Sequence, residues 1–306
     1  MYHPCLLQVD PGRTCHESVR DHHAVRMSRS VEIHPVAGAL GAEITGVDLS
    51  HALSDDTLAA IRRAWLEHLV IFFRDQPLPP AKFLAFARCF GEPIEYPFVK
   101  GLDDFPEIIP VMKLANETIN FGGVWHSDTT YLDVPPMASV LVAREVPPAG
   151  GDTLFANMYL AYETLSDGMK RVLAGLRAVA TSSKADASRT REDRLKDSAR
   201  PDAREEYGAT HPVVRVHPET GRRALYVNVA HTVRFEGMTE EESAPILEYL
   251  FGHLARPEFT CRFRWRSGSI AFWDNRCTQH NAINDYPGHR RSMHRITLAG
   301  DKPTGP

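Results

Sequence analysis

The chain has 306 residues, which is long enough for one large domain or two small ones with a substantial buried core. Hydrophobic residues make up 43% and charged residues 24%, as in ordinary globular proteins, and no run of about 18 apolar residues predicts a membrane span. The formal net charge of −4 offers no long-range attraction to nucleic acid or to an anionic membrane, so neither is expected as a partner.

The chain contains five cysteines, which show no CxxC pair and no regular spacing. An odd number in a chain of this size argues against a disulfide framework and for a reducing compartment. The N-terminus has no basic start followed by an apolar stretch, so a secretory signal is not predicted. We therefore predict a cytoplasmic protein in which Cys89 and Cys261 are buried free thiols.

Residues 1–30 are polar and irregular, with histidines and cysteines scattered among them. These side chains could form a metal site, but their irregular spacing and the lack of apolar periodicity favour a flexible N-terminal extension. A single domain is predicted for residues 31–306, where regular apolar patterns begin.

The first part of this domain has clear secondary-structure signals. Residues 31–49 are apolar and punctuated by glycine, which predicts two short strands. Ser54 can cap a helix that runs to about Leu69, and the apolar run at 70–73 predicts a buried strand. A second helix is predicted from about Pro80 to the stop at Gly91.

After residue 105 the pattern changes to short strands, interrupted by two helices at about 158–178 and 239–254. Thr239 and Glu242 form a capping box at the start of the second. The strands are predicted at 108–112, 138–143, 212–216, 224–229, 261–265 and 270–273. Many short strands with long insertions predict a mainly β fold with flanking helices, either a sandwich or a jelly roll.

Residues 181–210 are rich in charged residues, alanine and serine, and poor in apolar residues. This composition predicts a solvated, mobile surface insertion. Long loops inside compact domains are also where active-site lids occur, so a lid that closes over the site is the alternative interpretation.

The most informative residues are His126 and Asp128, separated by one residue, and the distant His280. On an extended strand, positions i and i+2 point to the same face, so the first two can converge on one ion. Two imidazoles and one carboxylate suit iron(II) with three coordination positions open, whereas structural zinc sites are closed and often rich in thiolates. Alone, an H-x-D pair is more often structural than ligating, so the assignment depends on other residues.

An oxygenase with such a centre must also bind a dianionic keto acid, whose far carboxylate needs a fixed cationic partner. Arg291 lies eleven residues after His280, at the head of a strand-like segment, and Thr153 follows a Gly-Gly turn. The arginine offers a planar fork and the threonine a hydroxyl donor. An arginine at a strand start is more often a surface residue, so Arg291 counts only as part of the set.

At this point the sequence resembles the taurine dioxygenase family (TauD/TfdA-type), which also contains the aryloxyalkanoate dioxygenases. The match runs from about residue 31 to 303. The resembling stretches are 125–128, 135–136, 150–153, 211–214, 225–228, 273–276, 279–280, 290–291 and 293–295.

This resemblance implies a double-stranded β-helix, a cupin-like jelly roll, that uses Fe(II), 2-oxoglutarate and O2. By matching positions, His126, Asp128 and His280 resemble the iron ligands, and Thr153 and Arg291 the residues that hold 2-oxoglutarate. The implied reaction hydroxylates the substrate next to its heteroatom and releases succinate and CO2. Retention of the carboxylate of Asp128 indicates hydroxylation and not halogenation.

Substrate is where the chain departs from the family pattern. Arg295 matches a position where relatives place an arginine near the acidic group of the substrate, although a surface strand residue is the alternative. Tyr96 lies in a segment where the taurine enzymes carry a histidine, and Gly122-Gly123-Val124 replaces the segment in which they carry an asparagine. The stretches at 98–100 and 131–133 look more like the dichlorprop-type aryloxyalkanoate enzymes. His231 is either a polar pocket wall or a loop histidine.

We therefore predict a small anionic organic substrate, a sulfonate or an aryloxyalkanoate or other carboxylate. The resemblance also implies a possible homo-oligomer. Three alternatives remain: the same oxygenase chemistry on an unrelated small molecule, a non-catalytic metal-binding jelly roll, and a hydrolytic metalloenzyme with zinc. The co-occurrence of Arg291 and Thr153 with the three ligands argues against the second, because a metal store needs no keto-acid clamp.

Overall fold

The structure, a computed structural model, describes residues 31–96, 99–183 and 206–306, and this part of the chain forms sixteen β-strands and five α-helices. The strands are β1 (Glu32–Pro35), β2 (Ala42–Thr45), β3 (Val70–Phe73), β4 (Pro93–Ile94), β5 (Ile108–Lys113), β6 (Ala138–Glu145), β7 (Thr153–Asn157), β8 (Arg177–Thr181), β9 (Gly208–Pro212), β10 (Val214–Val216), β11 (Arg223–Leu225), β12 (Thr232–Phe235), β13 (Thr260–Phe263), β14 (Ile270–Asp274), β15 (Thr278–Ala282) and β16 (Arg291–Leu298). The helices are α1 (Asp55–His68), α2 (Pro80–Arg88), α3 (Met158–Glu163), α4 (Asp167–Leu173) and α5 (Glu240–Leu254). The predicted extension at 1–30 lies outside the described residues, as do residues 184–205 of the predicted insertion.

One large sheet organises the fold. Its eight strands follow the order β1-β2-β3-β14-β6-β16-β4, and β5 also pairs with β16. Three smaller sheets have the orders β13-β7-β15, β12-β8-β9 and β10-β11. The prediction of a mainly β fold with flanking helices is confirmed.

The central strands of the large sheet are buried on both faces, which explains why they are apolar without alternation. In β14, Ile270 and Phe272 join one core cluster, while Ala271 and Trp273 join another. The first cluster lies against α1 and α2, where Trp65 stacks on Phe272 at a centroid distance of 4.6 Å. The second lies between the large sheet and the strands β7 and β13, so the two layers enclose an interior.

Helix ends follow the predicted capping signals. The Ser54 hydroxyl accepts the backbone N–H of Thr57 at the start of α1. At the start of α5, Thr239 and Glu242 form the reciprocal capping box. Both predictions are confirmed, and the first two strands and β3 also lie where they were expected.

The single helix predicted at 158–178 is wrong. The segment forms α3, α4 and the start of β8, because Ser166 accepts the N–H of Met169 and starts a new helix. Gly175, with φ of +84°, then turns the chain into β8. Ladder pairing with two neighbouring strands outweighs the helical spacing of the apolar residues there.

Two predicted strands have different bounds. The strand predicted at 212–216 is divided at Val213, because β9 pairs with β8 and β10 pairs with β11. The strand predicted at 224–229 ends at Leu225, since the side chain of Asn228 accepts the N–H of His231 and closes a turn.

Of the two predicted buried thiols, Cys261 is buried but Cys89 is exposed, because Cys89 is the C-cap residue of α2 on the outer side of the helix. In the described part of the chain, no helix has both the length and the apolar character needed to span a bilayer. The cytoplasmic location stays a prediction. At the described edges of the predicted insertion, β8 and β9 are paired, with Thr181 opposite Gly208.

Candidate metal centre

The three residues predicted to bind metal lie together in the interior. His126 Nε2 is 3.9 Å from Asp128 Oδ1, and His280 Nε2 is 4.0 Å from the same oxygen. The three groups are buried, and their ligand atoms lie within 4.8 Å of one another. This separation allows all three to reach a single ion.

The local backbone differs from the predicted strand. His126 forms an isolated antiparallel bridge with His280, with mutual backbone hydrogen bonds of 3.1 and 2.8 Å. Asp128 follows in a turn, so the two ligands do not share a regular strand. The bridge itself links the first ligand to the third, which lies in β15.

The orientation of His126 suits a metal ligand. Its Nδ1 lies 2.7 Å from the carbonyl oxygen of Val124, which can only accept a hydrogen bond. Nδ1 therefore carries the proton, and the lone pair of Nε2 faces Asp128. Gly122 adjoins this ring, since a Cβ there would lie 3.0 Å from His126 Cε1.

Asp128 is held by two neighbours, of which the sequence singled out Arg295 but not Ser139. Ser139 Oγ donates to Oδ2 at 2.7 Å, and Arg295 Nη1 donates to Oδ1 at 3.0 Å. Asn275 supports Ser139, donating to its hydroxyl at 3.2 Å. Asn275 lies in the resembling stretch 273–276, whereas nothing in the pattern of β6 distinguished Ser139.

Electrostatics keep the centre in the protonation state that a metal requires. Burial alone would raise the pKa of Asp128, but Arg295, the two imidazoles and Ser139 lower it below its ordinary value. Burial and the neighbouring His126 hold the pKa of His280 well below its usual range. The carboxylate is ionised and His280 is neutral, which is the form in which both can bind a cation.

A cavity opens beside the centre. Its described lining consists of Val111, Phe121, Gly122, His126, Leu141, Thr153, Trp273, His280, Ala282, Arg291 and Arg295. Both arginines are buried, and in each of them Nε and Nη2 have no hydrogen-bond partner among the described residues. The predicted alternative for Arg291 and Arg295, an outward position on the strand, is therefore wrong.

Tyr96 and His231 are also buried near this cavity. The guanidinium of Arg295 lies 4.6 Å from the centroid of the Tyr96 ring. His231 contacts Thr130 Oγ1 through Nδ1 at 2.9 Å, and its ring lies 6.1 Å from that of His126. The structure thus buries His231 near His126, in the turn before β12, but does not include it in the lining of the cavity.

A second cluster, His217, Asp274 and Cys277, also has the residue types of a metal site. Arg276 binds both oxygens of Asp274, at 2.8 and 2.7 Å, and His217 Nε2 binds Oδ2 at 3.0 Å. His217 Nδ1 accepts two backbone N–H groups, so neither ring nitrogen is free. This cluster holds together the turn between β14 and β15.

We predict that Asp274→Asn lowers the free energy of unfolding by about 3 kcal/mol, because it leaves the buried guanidinium of Arg276 poorly compensated. Urea unfolding at pH 7 measures this change. Asp133→Asn is the control, since its pair with Lys302 is exposed and contributes less than about 1 kcal/mol. Equal losses in the two variants would contradict the prediction.

The stabilisation by Asp274 should also depend on pH. Burial raises the pKa of Asp274, but Arg276 and His217 outweigh it and hold the pKa below its ordinary value. The unfolded chain therefore takes up this proton first, and the stabilisation is lost as pH falls below about 4. The difference in melting temperature between wild type and Asp274→Asn should shrink in that range.

The family model described as "Taurine catabolism dioxygenase TauD, TfdA family" matches residues 32–297. The chain is 38% identical to the alpha-ketoglutarate-dependent sulfate ester dioxygenase of Pseudomonas putida, over 90% of this chain and 91% of that protein. It is 32% identical to the alpha-ketoglutarate-dependent 2,4-dichlorophenoxyacetate dioxygenase of Cupriavidus pinatubonensis, over 89% and 99%. It also matches the crystal structure of a taurine dioxygenase from Burkholderia xenovorans, with a TM-score of 0.76 and 39% identity, over 90% of this chain and 92% of that chain.

Proposed function

The chain belongs to the TauD, TfdA family and is a 2-oxoglutarate-dependent dioxygenase, and from this premise we propose that it oxidises a monoanionic sulfate ester. The observation that carries the proposal is a cavity lined by two imidazoles, those of His126 and His280, and by two buried arginines, with Asp128 beside the imidazoles. Each arginine has N–H groups without a hydrogen-bond partner among the described residues. Such donors, withdrawn from water, require an anionic ligand.

We assign His126 Nε2, Asp128 Oδ1 and His280 Nε2 as the iron(II) ligands. The donor set fits this ion, because two neutral imidazoles and one carboxylate leave three coordination positions open. When bound, iron(II) supplies the activation of O2 that is coupled to decarboxylation of 2-oxoglutarate. Ser139 and Val124 fix the orientation of the ligands through their hydrogen bonds.

The far carboxylate of 2-oxoglutarate is assigned to Arg291 and Thr153. Both line the cavity, and the guanidinium of Arg291 offers two donors that have no partner in the described part of the chain. A planar fork of this kind matches a carboxylate in a bidentate arrangement.

The charge of the substrate follows from the groups at the cavity. Arg291, Arg295 and a divalent metal contribute four positive charges, while Asp128 and the co-substrate dianion contribute three negative ones. Lys113 is buried nearby, but its ammonium lies against the ring of Tyr286 and does not line the cavity. A monoanion therefore neutralises the site, and we assign its acidic group to Arg295, flanked by Tyr96 and His231.

The substrate should carry no ammonium group. Among the described residues that line the cavity there is no aspartate or glutamate to receive one, and burying an unpaired cation costs several kcal/mol. The remaining walls, Val111, Phe121, Leu141 and Ala282, are apolar and suit an alkyl chain. This argues against taurine, which is zwitterionic, and for an alkyl sulfate.

The proposed reaction replaces a C–H bond by C–OH on the carbon that bears the ester oxygen. One oxygen atom of O2 enters this product and the other enters succinate, with release of CO2. The hydroxylated ester then collapses to an aldehyde and hydrogen sulfate. Arg295 orients the sulfate and Arg291 the co-substrate, so the chain holds the reacting carbon beside the metal ligands.

The finer architecture is proposed to be a double-stranded β-helix. The placement of β7 and β15 over β14, β6 and β16 supports it, because the candidate ligands and both arginines then project into one interior. The possible homo-oligomer stays a prediction.

The experiment that tests this function compares substrates on the iron-loaded enzyme with 2-oxoglutarate and air, measuring succinate and sulfate. We expect hexyl sulfate to stimulate succinate formation and to release sulfate in equal amounts. Propane-1-sulfonate should be turned over at least about 100-fold more efficiently than taurine, its close isostere, because only taurine buries an ammonium.

Preference for taurine would contradict the assigned substrate but leave the oxygenase class intact. A response to 2,4-dichlorophenoxyacetate alone would indicate an aryloxyalkanoate substrate in place of the sulfate ester. Sulfate release without O2 or 2-oxoglutarate would overturn the proposed reaction.

A further inference from the structure

Thr153 and Trp265 form a buried hydrogen bond at the co-substrate end of the cavity. The indole Nε1–H of Trp265 donates to Thr153 Oγ1 at 2.9 Å, and the two side chains are 5% and 3% exposed. Thr153 is the first residue of β7 and pairs with Phe263 of β13. Trp265 follows Phe263 by two residues, so strand register brings the indole over the hydroxyl.

This contact decides what the Thr153 hydroxyl can do. An indole N–H can only donate, so it occupies a lone pair of Oγ1 and leaves the hydroxyl hydrogen without an acceptor among the described residues. Thr153 lines the cavity, and a ligand there is the acceptor that remains.

Trp265 also lies beside the arginine of the same end. The Arg291 Cζ is 5.7 Å from the centroid of the Trp265 ring, within the range of a cation–π contact. The arginine is fixed on another side by Gly151, where a Cβ would lie 3.3 Å from Arg291 Cδ. Trp265 itself does not line the cavity, so it acts only through its neighbours.

We propose that Trp265 is a positioning residue for the 2-oxoglutarate site: it turns the Thr153 hydroxyl into an obligatory donor and supports the guanidinium of Arg291. The end of the cavity then presents donors alone, which selects a carboxylate. This inference rests on the proposed function, because it concerns the site assigned there to the far carboxylate.

The test measures binding of N-oxalylglycine, an unreactive analogue of 2-oxoglutarate, to the iron(II)-loaded enzyme without O2, by titration calorimetry. Trp265→Phe keeps an aromatic ring but removes the donor, and it should raise the Kd about fivefold, as expected for one neutral hydrogen bond. Thr153→Val should raise it at least as much. Adding Trp265→Phe to Thr153→Val should then change the Kd by less than about twofold, because the partner is already absent.

Steady-state kinetics separate positioning from damage to the fold. Trp265→Phe should raise KM for 2-oxoglutarate about fivefold, with kcat and the KM of the sulfate ester within about twofold of wild type. Trp65→Phe is the matched control, because Trp65 lies on the opposite face of the large sheet and its buried Nε1 has no partner among the residues that the structure describes. It should leave the Kd unchanged.

An unchanged Kd in Trp265→Phe, or full additivity with Thr153→Val, would overturn the inference while leaving the proposed function standing. Failure of the wild-type enzyme to bind N-oxalylglycine would overturn the proposed function, and the inference with it.

Discussion

His126→Ala is expected to lower kcat/KM for the sulfate ester by at least about 1,000-fold and to abolish binding of one equivalent of iron(II). The remaining Asp128 and His280 offer two donors, too few to hold the ion in a defined geometry. Because the carbonyl of Val124 keeps the proton on Nδ1, the ligand atom that this substitution removes is Nε2. Anaerobic metal titration and succinate formation measure the two effects separately.

A second buried imidazole offers the control for this experiment. His253 lies on α5, away from the cavity, and is buried with its Nε2 hydrogen-bonded to the carbonyl of Ala161. His253→Ala should lower the melting temperature while leaving activity per folded molecule within about twofold. Tight iron binding retained by His126→Ala would overturn the ligand assignment.

Arg291→Met is expected to raise KM for 2-oxoglutarate about 100-fold, with a much smaller change in the KM of the sulfate ester. The variant removes two charge-assisted hydrogen bonds to the far carboxylate, together worth about 3 kcal/mol. Its aliphatic chain fills part of the space beside Gly151 that the arginine stem occupies. Initial rates at varied 2-oxoglutarate, with the sulfate ester saturating, measure this effect.

The preceding residue supplies the matched control. Arg290 is exposed and pairs with Glu145 at 2.7 Å, so Arg290→Met removes a charge next to the site but outside the cavity. Its KM for 2-oxoglutarate should stay within about twofold of wild type. A similar KM for 2-oxoglutarate in both variants would indicate only a long-range electrostatic effect. It would contradict the assignment of Arg291 to the far carboxylate.

Much of the fold could be predicted because capping and hydrophobic patterning are local. Ser54 and the Thr239–Glu242 pair start helices where their side chains predict, and the apolar run at 70–73 is the buried strand β3. The single helix predicted for 158–178 was wrong for a non-local reason. Its apolar spacing is helical throughout, but its end pairs with β9 and β12, which are far along the chain.

In the candidate site, too, the residue types could be predicted from sequence, but their local geometry could not. The residue types at 126, 128, 153, 280, 291 and 295 indicated the chemistry before any geometry was known, because a metal, a keto acid and an anion each require particular donors. The strand geometry assumed for His126 and Asp128 was wrong, since one residue forms a bridge and the other a turn. His231 was undecided from sequence, and burial beside His126 resolves its position.

By itself, therefore, the sequence determined the family and the positions of most elements, and it supplied the residues to which we assign the chemistry. Only the tertiary structure decided which of two buried histidine and aspartate clusters faces a cavity, and that Ser139 holds Asp128. It also decided that Trp265 reaches Thr153, 112 residues away in the chain. Such contacts depend on strand register between distant segments, and register is set by the packing of the whole sheet and not by any local pattern.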